Sequence, residues 1–112
     1  MKSIRVGLLL DFYAPLLTDK QRELLDLHYN QDFSLAEIGE AEGVSRQAVL
    51  DTVRRGETAL TKLEEKLGLM RRYRSMCGLV EECLEMNRQG RSSELDEKLK
   101  KMLALWEDHH GV

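Results

Sequence analysis

The chain has 112 residues, 42% apolar and 33% charged, with one proline and eight glycines. That composition describes a soluble chain folding as one domain, or as a small core with an appendage, and excludes low-complexity disorder and two large independent domains. Basic residues number 17 against 20 acidic ones, a net charge of −3 that excludes a strongly basic nucleic-acid-coating protein.

The two cysteines, Cys77 and Cys83, make no CxxC pair and have no paired His ligands nearby, so a reducing, cytoplasmic setting is expected, with no cofactor or structural metal. The longest apolar run, Val6 to Leu10, falls short of both the roughly 18–20 residues of a membrane helix and the roughly 7–15 of a signal-peptide core. Neither membrane insertion nor a leader is expected.

Periodicity is helical almost throughout, so the fold class is all-α. Ile4 to Tyr13 reads as a first helix with Ile4, Leu8 and Phe12 on one stripe, ending before Pro15. Thr18 with Gln21 is a capping-box pattern that opens a second helix, carrying Leu24, Leu25, Leu27 and His28 or Tyr29 inward. Ser34 with Glu37 repeats the pattern and opens a short helix of Leu35, Ala36, Ile38 and Ala41 that runs out at Gly43. Ser45 then caps a longer helix with Ala48, Val49, Thr52 and Val53 inward, continued by Leu60, Leu63 and Leu67, and with Gly56 and Gly68 as its weak points. Beyond it, Tyr73, Met76, Cys77, Val80, Cys83, Leu84 and Asn87 form another 3-4 repeat. Leu95, Leu99, Met102, Leu103 and Trp106 line a last helix, with Lys98, Lys100 and Lys101 outside. His109 and His110 have no metal-ligand spacing and belong to a fraying end.

Ser34 to Arg55, SLAEIGEAEGVSRQAVLDTVRR, has helix-turn-helix spacing. Small Ala36 and Gly39 permit close approach, Gly43 permits the turn, Val44 and Val49 plug the angle, and Ser45 aims the second helix outward. In a nucleic-acid reader the outward positions are Ser45, Arg46, Gln47, Leu50, Arg54 and Arg55. Arg46 suits a guanine edge or a phosphate, Gln47 an adenine edge, Leu50 a thymine methyl, and Arg54 with Arg55 the backbone. The same geometry also serves as plain packing or a protein-binding face, and Asp51 repels phosphates. With about four phosphate-facing cations, binding is weak and salt-sensitive. From Gly43 to Arg74 the charge is +4, including Lys62, Lys66 and the cluster Arg71, Arg72, Arg74, while the remainder of the chain is −7. There is no glycine-rich phosphate loop, GxSxG, HExxH or Cys/His pair in context, so no enzyme is expected.

DFYAPLLTDKQRELLDLHY (Asp11 to Tyr29) and FSLAEIGEAEGVSRQAVLDTVRRGETALTKLEEKLGL (Phe33 to Leu69) resemble the YlxM family of small bacterial helix-turn-helix proteins, which are similar in turn to region four of sigma factors. The resemblance covers about Ser3 to Leu69. It implies a sigma-region-four-like helix-turn-helix bundle with long C-terminal helices, a homodimer, and an adaptor or regulatory role tied to the signal recognition particle, touching its RNA or its GTPase. Ser45, Arg46 and Gln47 match the start of the sigma recognition helix. Ala48 and Leu50 fall where sigma factors often carry Arg, which sets this chain apart from a promoter reader. Residues 1–68 are expected to form the helix-turn-helix domain and 69–112 a helical dimerisation segment, because a small helical core cannot cover both C-terminal apolar stripes. The alternative reading is a dimeric DNA-binding transcriptional regulator; a third is a protein-only scaffold.

Overall fold

The computed structural model describes residues 4–110, in which helices follow one another with short turns between them and no strand. They are α1 (Ile4–Tyr13), α2 (Asp19–Leu25), α3 (Leu35–Glu42), α4 (Arg46–Leu67), α5 (Leu69–Arg88) and α6 (Ser92–His110). The all-α class read from periodicity is the observed one. The chain divides into two compact units, Met1–Arg71 and Arg72–Val112.

The first unit is built around α4. Leu9, Leu10 and Tyr13 of α1, Leu24 and Leu25 of α2, Ile38 of α3, and Val49, Val53 and Leu60 of α4 form one buried cluster. Of the stripe expected on α1, Leu8 and Phe12 pack half-buried against this cluster while Ile4 is 86% exposed, and the fully buried residues are Leu9, Leu10 and Tyr13. That helix is apolar on nearly every side, so period alone does not select the face, and a polar contact of Tyr13 described below turns it inward. After α1, Pro15 lies in the first turn of a short 3₁₀ segment, Ala14–Leu16. Thr18 then caps α2 with both halves of the capping box formed. The chain leaves α2 through a wide π-helical turn, Asp26–Asn30. There His28 Nδ1–H donates to the Phe33 carbonyl at 2.8 Å, and the Tyr29 hydroxyl donates to Glu57 of α4.

Gly56 does not weaken α4, which is continuous over its 22 residues. A Cβ at Gly56 would stand 2.5 Å from Leu25 Cδ1, so the missing side chain is what lets α2 lie against α4. Gly68, at φ 63°, ends α4 in the left-handed conformation that glycine adopts without strain.

The junction after Gly68 depends on a buried carboxylate. Glu64 is 7% exposed. Its Oε1 accepts from the Tyr13 hydroxyl at 2.7 Å and from the Met70 N–H at 3.0 Å, and its Oε2 accepts from the Arg71 N–H at 3.0 Å. The Tyr13 oxygen accepts in turn from the Leu69 N–H at 3.0 Å. Three N–H groups of the first turn of α5, which have no partner within their own helix, are thereby satisfied by side chains of α1 and α4. Burial pushes the Glu64 carboxyl up, but the hydrogen bonds from Tyr13, Met70 and Arg71, with the Arg71 charge, outweigh it and hold the group below its ordinary value. Burial first, and then the same carboxylate, pushes the Tyr13 hydroxyl up.

In the second unit α5 and α6 form an antiparallel hairpin. Gly90, at φ 72°, makes the turn, closed by the Arg91 N–H donating to the Met86 carbonyl at 3.0 Å. Cys83 is buried with its sulfur 3.6 Å from that of Met102, and Lys98 pairs with Glu82 at 2.7 Å. Both cysteines are free. Lys98, expected outside, is therefore half-buried across the hairpin, while Tyr73, Val80, Leu84, Leu99 and Leu103, expected inside, are exposed. Two helices offer each other only one narrow seam, so these apolar positions stay exposed to a large extent. The side chains of Trp106, His109 and His110, also singled out from the sequence, lie outside the described residues.

Replacing Glu64 with Gln retains the size but removes the charge and one of the two acceptor oxygens, and is expected to cost about 1–3 kcal/mol. Because the folded-state pKa is depressed, the carboxylate's contribution is complete above the unfolded value of about 4.3 and is lost as pH falls through the folded value. Urea denaturation of both proteins from about pH 6 to about pH 3 checks this: the gap should narrow with acid, and a gap independent of pH would count against the clamp.

Candidate nucleic-acid interface

Local chemistry fixes the α3–α4 angle. Ser34 caps α3 in a complete capping box: its hydroxyl accepts from the Glu37 N–H at 3.0 Å while the Glu37 carboxylate accepts from the Ser34 N–H at 2.9 Å. Gly43 turns the chain at φ 72°, and the Val44 N–H donates to the Gly39 carbonyl at 2.9 Å. A Cβ on Gly39 would meet the Val44 carbonyl oxygen at 2.8 Å and the Arg46 nitrogen at 3.3 Å, both backbone, so only glycine allows the turn to fold over α3. Ile38 and Val49 fill the angle, each fully buried. The expected roles of Ala36 and Val44 are corrected: both are exposed, Val44 by 47%, and neither packs the angle, because Gly39 already brings the backbones together.

Ser45 Oγ accepts from the Ala48 N–H at 3.0 Å, which caps α4 and leaves Ser45, Arg46, Gln47 and Ala48 exposed at its N-terminus. Ala48, read as inward, is on the open side. At about 100° per residue, Leu50, Arg54, Gln47 and Asp51 share one outward face, with Arg46 and Arg55 on its two opposite flanks. Leu50 is half-buried. The expected outward residues thus surround one helix end, but not as one patch.

Electrostatics temper that face. Gln47 Nε2 donates to Asp51 Oδ1 at 3.1 Å, which orients the amide and leaves its carbonyl free to accept, but sets a carboxylate beside it. From Ser34 to Arg55 the acids Glu37, Glu40, Glu42 and Asp51 outnumber Arg46, Arg54 and Arg55, for a net −1. Glu42 is engaged by Lys20 of α2 at 2.7 Å, which lowers the carboxyl's pKa and raises the lysine's. No carboxylate among the described residues lies within ion-pair distance of Arg46, Arg54 or Arg55, so the three guanidinium groups are available to an anion. Behind the interface, the Tyr29 hydroxyl is pushed up to about 12 by burial and by its bond to Glu57.

Sequence reasoning missed Glu64 and Glu57. The available signal was their register: Glu64 falls four residues after Leu60 on the stripe Val49, Val53, Gly56, Leu60, where a carboxylate must find partners. Among the described residues no cluster of His, Cys, Asp or Glu could hold a metal ion, and no helix is long and apolar enough to cross a membrane.

A capped, glycine-turned helix pair presenting the N-terminus of its second helix defines a helix-turn-helix protein. Residues 1–103 match the family model described as "UPF0122: Putative helix-turn-helix protein, YlxM / p13 like", and the chain belongs to that family. It is similar to a UPF0122 protein of Symbiobacterium thermophilum, 48% identical over 86 residues that cover 76% of this chain and 80% of the relative. A UPF0122 protein of Halalkalibacterium halodurans is 43% identical over 95 residues, 84% of this chain and 87% of the relative. One from Clostridium kluyveri is 57% identical over 67 residues, 60% of each chain.

Asp51→Asn removes the charge beside Gln47 and keeps an oxygen for its amide. Nucleic-acid affinity at low salt is expected to rise about 2- to 5-fold, as fits an exposed charge. Fluorescence anisotropy with a labelled duplex checks it; unchanged affinity would mean that the face does not meet phosphates.

Proposed function

We propose that the protein is a cytoplasmic regulatory or adaptor helix-turn-helix protein that contacts nucleic acid weakly through α4. The family resemblance points to the signal recognition particle as its setting, with the particle's RNA as the nucleic acid and its GTPase as a second contact. The observation that carries the reading is the capped N-terminus of α4, whose unpaired N–H groups and partial positive charge attract anions, flanked by Arg46, Arg54 and Arg55 without carboxylate partners. Ser45, Gln47 and Leu50 complete the contact, Leu50 only by its exposed edge. Three arginines against a net −1 make the affinity modest and steeply salt-dependent.

A dimeric DNA-binding regulator is the second reading. The exposed Tyr73, Val80, Leu84, Leu99 and Leu103 favour a homodimer through the C-terminal helices in either case. The two readings diverge in ligand: a dimeric reader prefers a palindrome with half-sites about one helical turn apart, an RNA partner prefers folded RNA without a palindrome.

Anisotropy titration of the full chain against signal recognition particle RNA and a random duplex of similar length, from about 50 to about 200 mM salt, separates them. The expected result is RNA-preferring binding that weakens with salt and is abolished in Arg54→Glu/Arg55→Glu. Binding unaffected by that double reversal would refute the interface. Sedimentation in the same buffers should give twice the 12.9 kDa chain mass.

A further inference from the structure

A reading helix needs only its first few turns in a groove, yet α4 runs for 22 residues, about 33 Å. Its second half carries Lys62 and Lys66, which stand seven and eleven residues beyond Arg55 along the helix. At about 100° per residue the three fall within roughly 40° of one another, a stripe about 16 Å long. All three are exposed, and none has an ion-pair partner among the described residues.

The carboxylates of this half are turned elsewhere. Glu57 takes the Tyr29 hydroxyl, and Glu64 is buried under the start of α5. Glu65 alone is exposed, roughly 60–100° around the helix from the lysines. Arg55, Lys62 and Lys66 thus form a row of cations without ion-pair partners among the described residues, with exposed Asp51 one turn before Arg55 at its near end, whereas the segment Ser34 to Arg55 is net negative.

We propose that α4 lies lengthwise on nucleic acid and that the stripe Arg55, Lys62, Lys66 holds the phosphate backbone, supplying the sequence-independent part of binding. This rests on the nucleic-acid reading above and deepens it. Phosphates recur about every 3.4 Å of duplex axis on each strand, so a row of about 16 Å faces several of them. Side-on docking also suits folded RNA, whose deep, narrow major groove does not admit a helix end. Ala59, the apolar residue nearest the row, is small and packs partly into the core, so the stripe offers no large apolar side chain to a membrane surface and favours a phosphate backbone.

The test is Lys62→Ala/Lys66→Ala in the full chain, titrated by anisotropy with a random DNA duplex and with a folded RNA hairpin, at about 50 and about 200 mM salt. Removing two cations from the phosphate backbone reduces the salt dependence of Kd across that fourfold range by about 12-fold on duplex, or about 7-fold where the bound backbone is single-stranded. Both lysines are exposed and unpaired, so melting followed by circular dichroism should not move, and the Lys→Arg pair should restore wild-type behaviour. An unchanged salt dependence in a variant that still responds to Arg54→Glu, a residue outside the stripe, overturns the stripe and leaves the helix-turn-helix reading standing. Wild-type protein that binds neither nucleic acid overturns both. Loss confined to binding of vesicles rich in anionic lipid, with nucleic-acid binding intact, also overturns the stripe.

Discussion

One buried carboxylate decides how α4 ends. Glu64 collects the Tyr13 hydroxyl and two amide N–H groups of the next helix, so that α1, α4 and the first turn of α5 meet at a single side chain. A charge in that position is tolerable only because every neighbour donates to it. The consequence reaches both ends of the first unit. Tyr13 is drawn inward, which rotates α1 and sets which of its apolar residues enter the core, and the chain restarts as a helix directly after Gly68. The first unit accordingly extends to Arg71, beyond the glycine that separates α4 from α5.

At the other end, α4 is positioned by backbone rather than by side-chain bulk. Gly39 allows the turn to touch α3, Gly43 reverses the chain, and Ser45 caps the helix that begins at Arg46. Nothing large is interposed, so the angle between α3 and α4 depends on two glycines and on the buried pair Ile38 and Val49. With Gly56 against Leu25, α4 is held close to α2 and α3 by missing Cβ atoms, and its polar face is left free along its full length.

Much of this was legible in the sequence where the signal is local. Both capping boxes, the Ser45 cap, the glycine stops and the helical period are short-range chemistry, and the structure has them where the residues stand. What escaped was whatever depends on a partner distant in sequence. Period could not choose the face of α1, since Tyr13 is selected by Glu64, 51 residues away. Gly56 reads as a weak point in a helix until Leu25 is placed against it. The stripes of α5 and α6 were legible as patterns, but among the described residues of the two-helix hairpin only Cys83 and a few half-buried neighbours find cover. The outward side of α4's first turns was identified from spacing, whereas the Gln47–Asp51 hydrogen bond changes what that side can offer a ligand.

A protein of net charge −3 that meets a polyanion must do so locally, and screening sets the scale. At physiological salt the Debye length is about 8 Å, against about 30 Å at about 10 mM. Asp51 and Lys66 are separated by fifteen residues of continuous helix, about 22 Å. Near physiological salt the acids around the helix-turn-helix therefore do not cancel the cations further along α4, and each half acts as its own surface. At very low salt the whole charge is felt at once and the net negative sign opposes approach. Affinity for a polyanion should then flatten as salt is withdrawn instead of rising without limit, a curvature that a uniformly basic protein does not have.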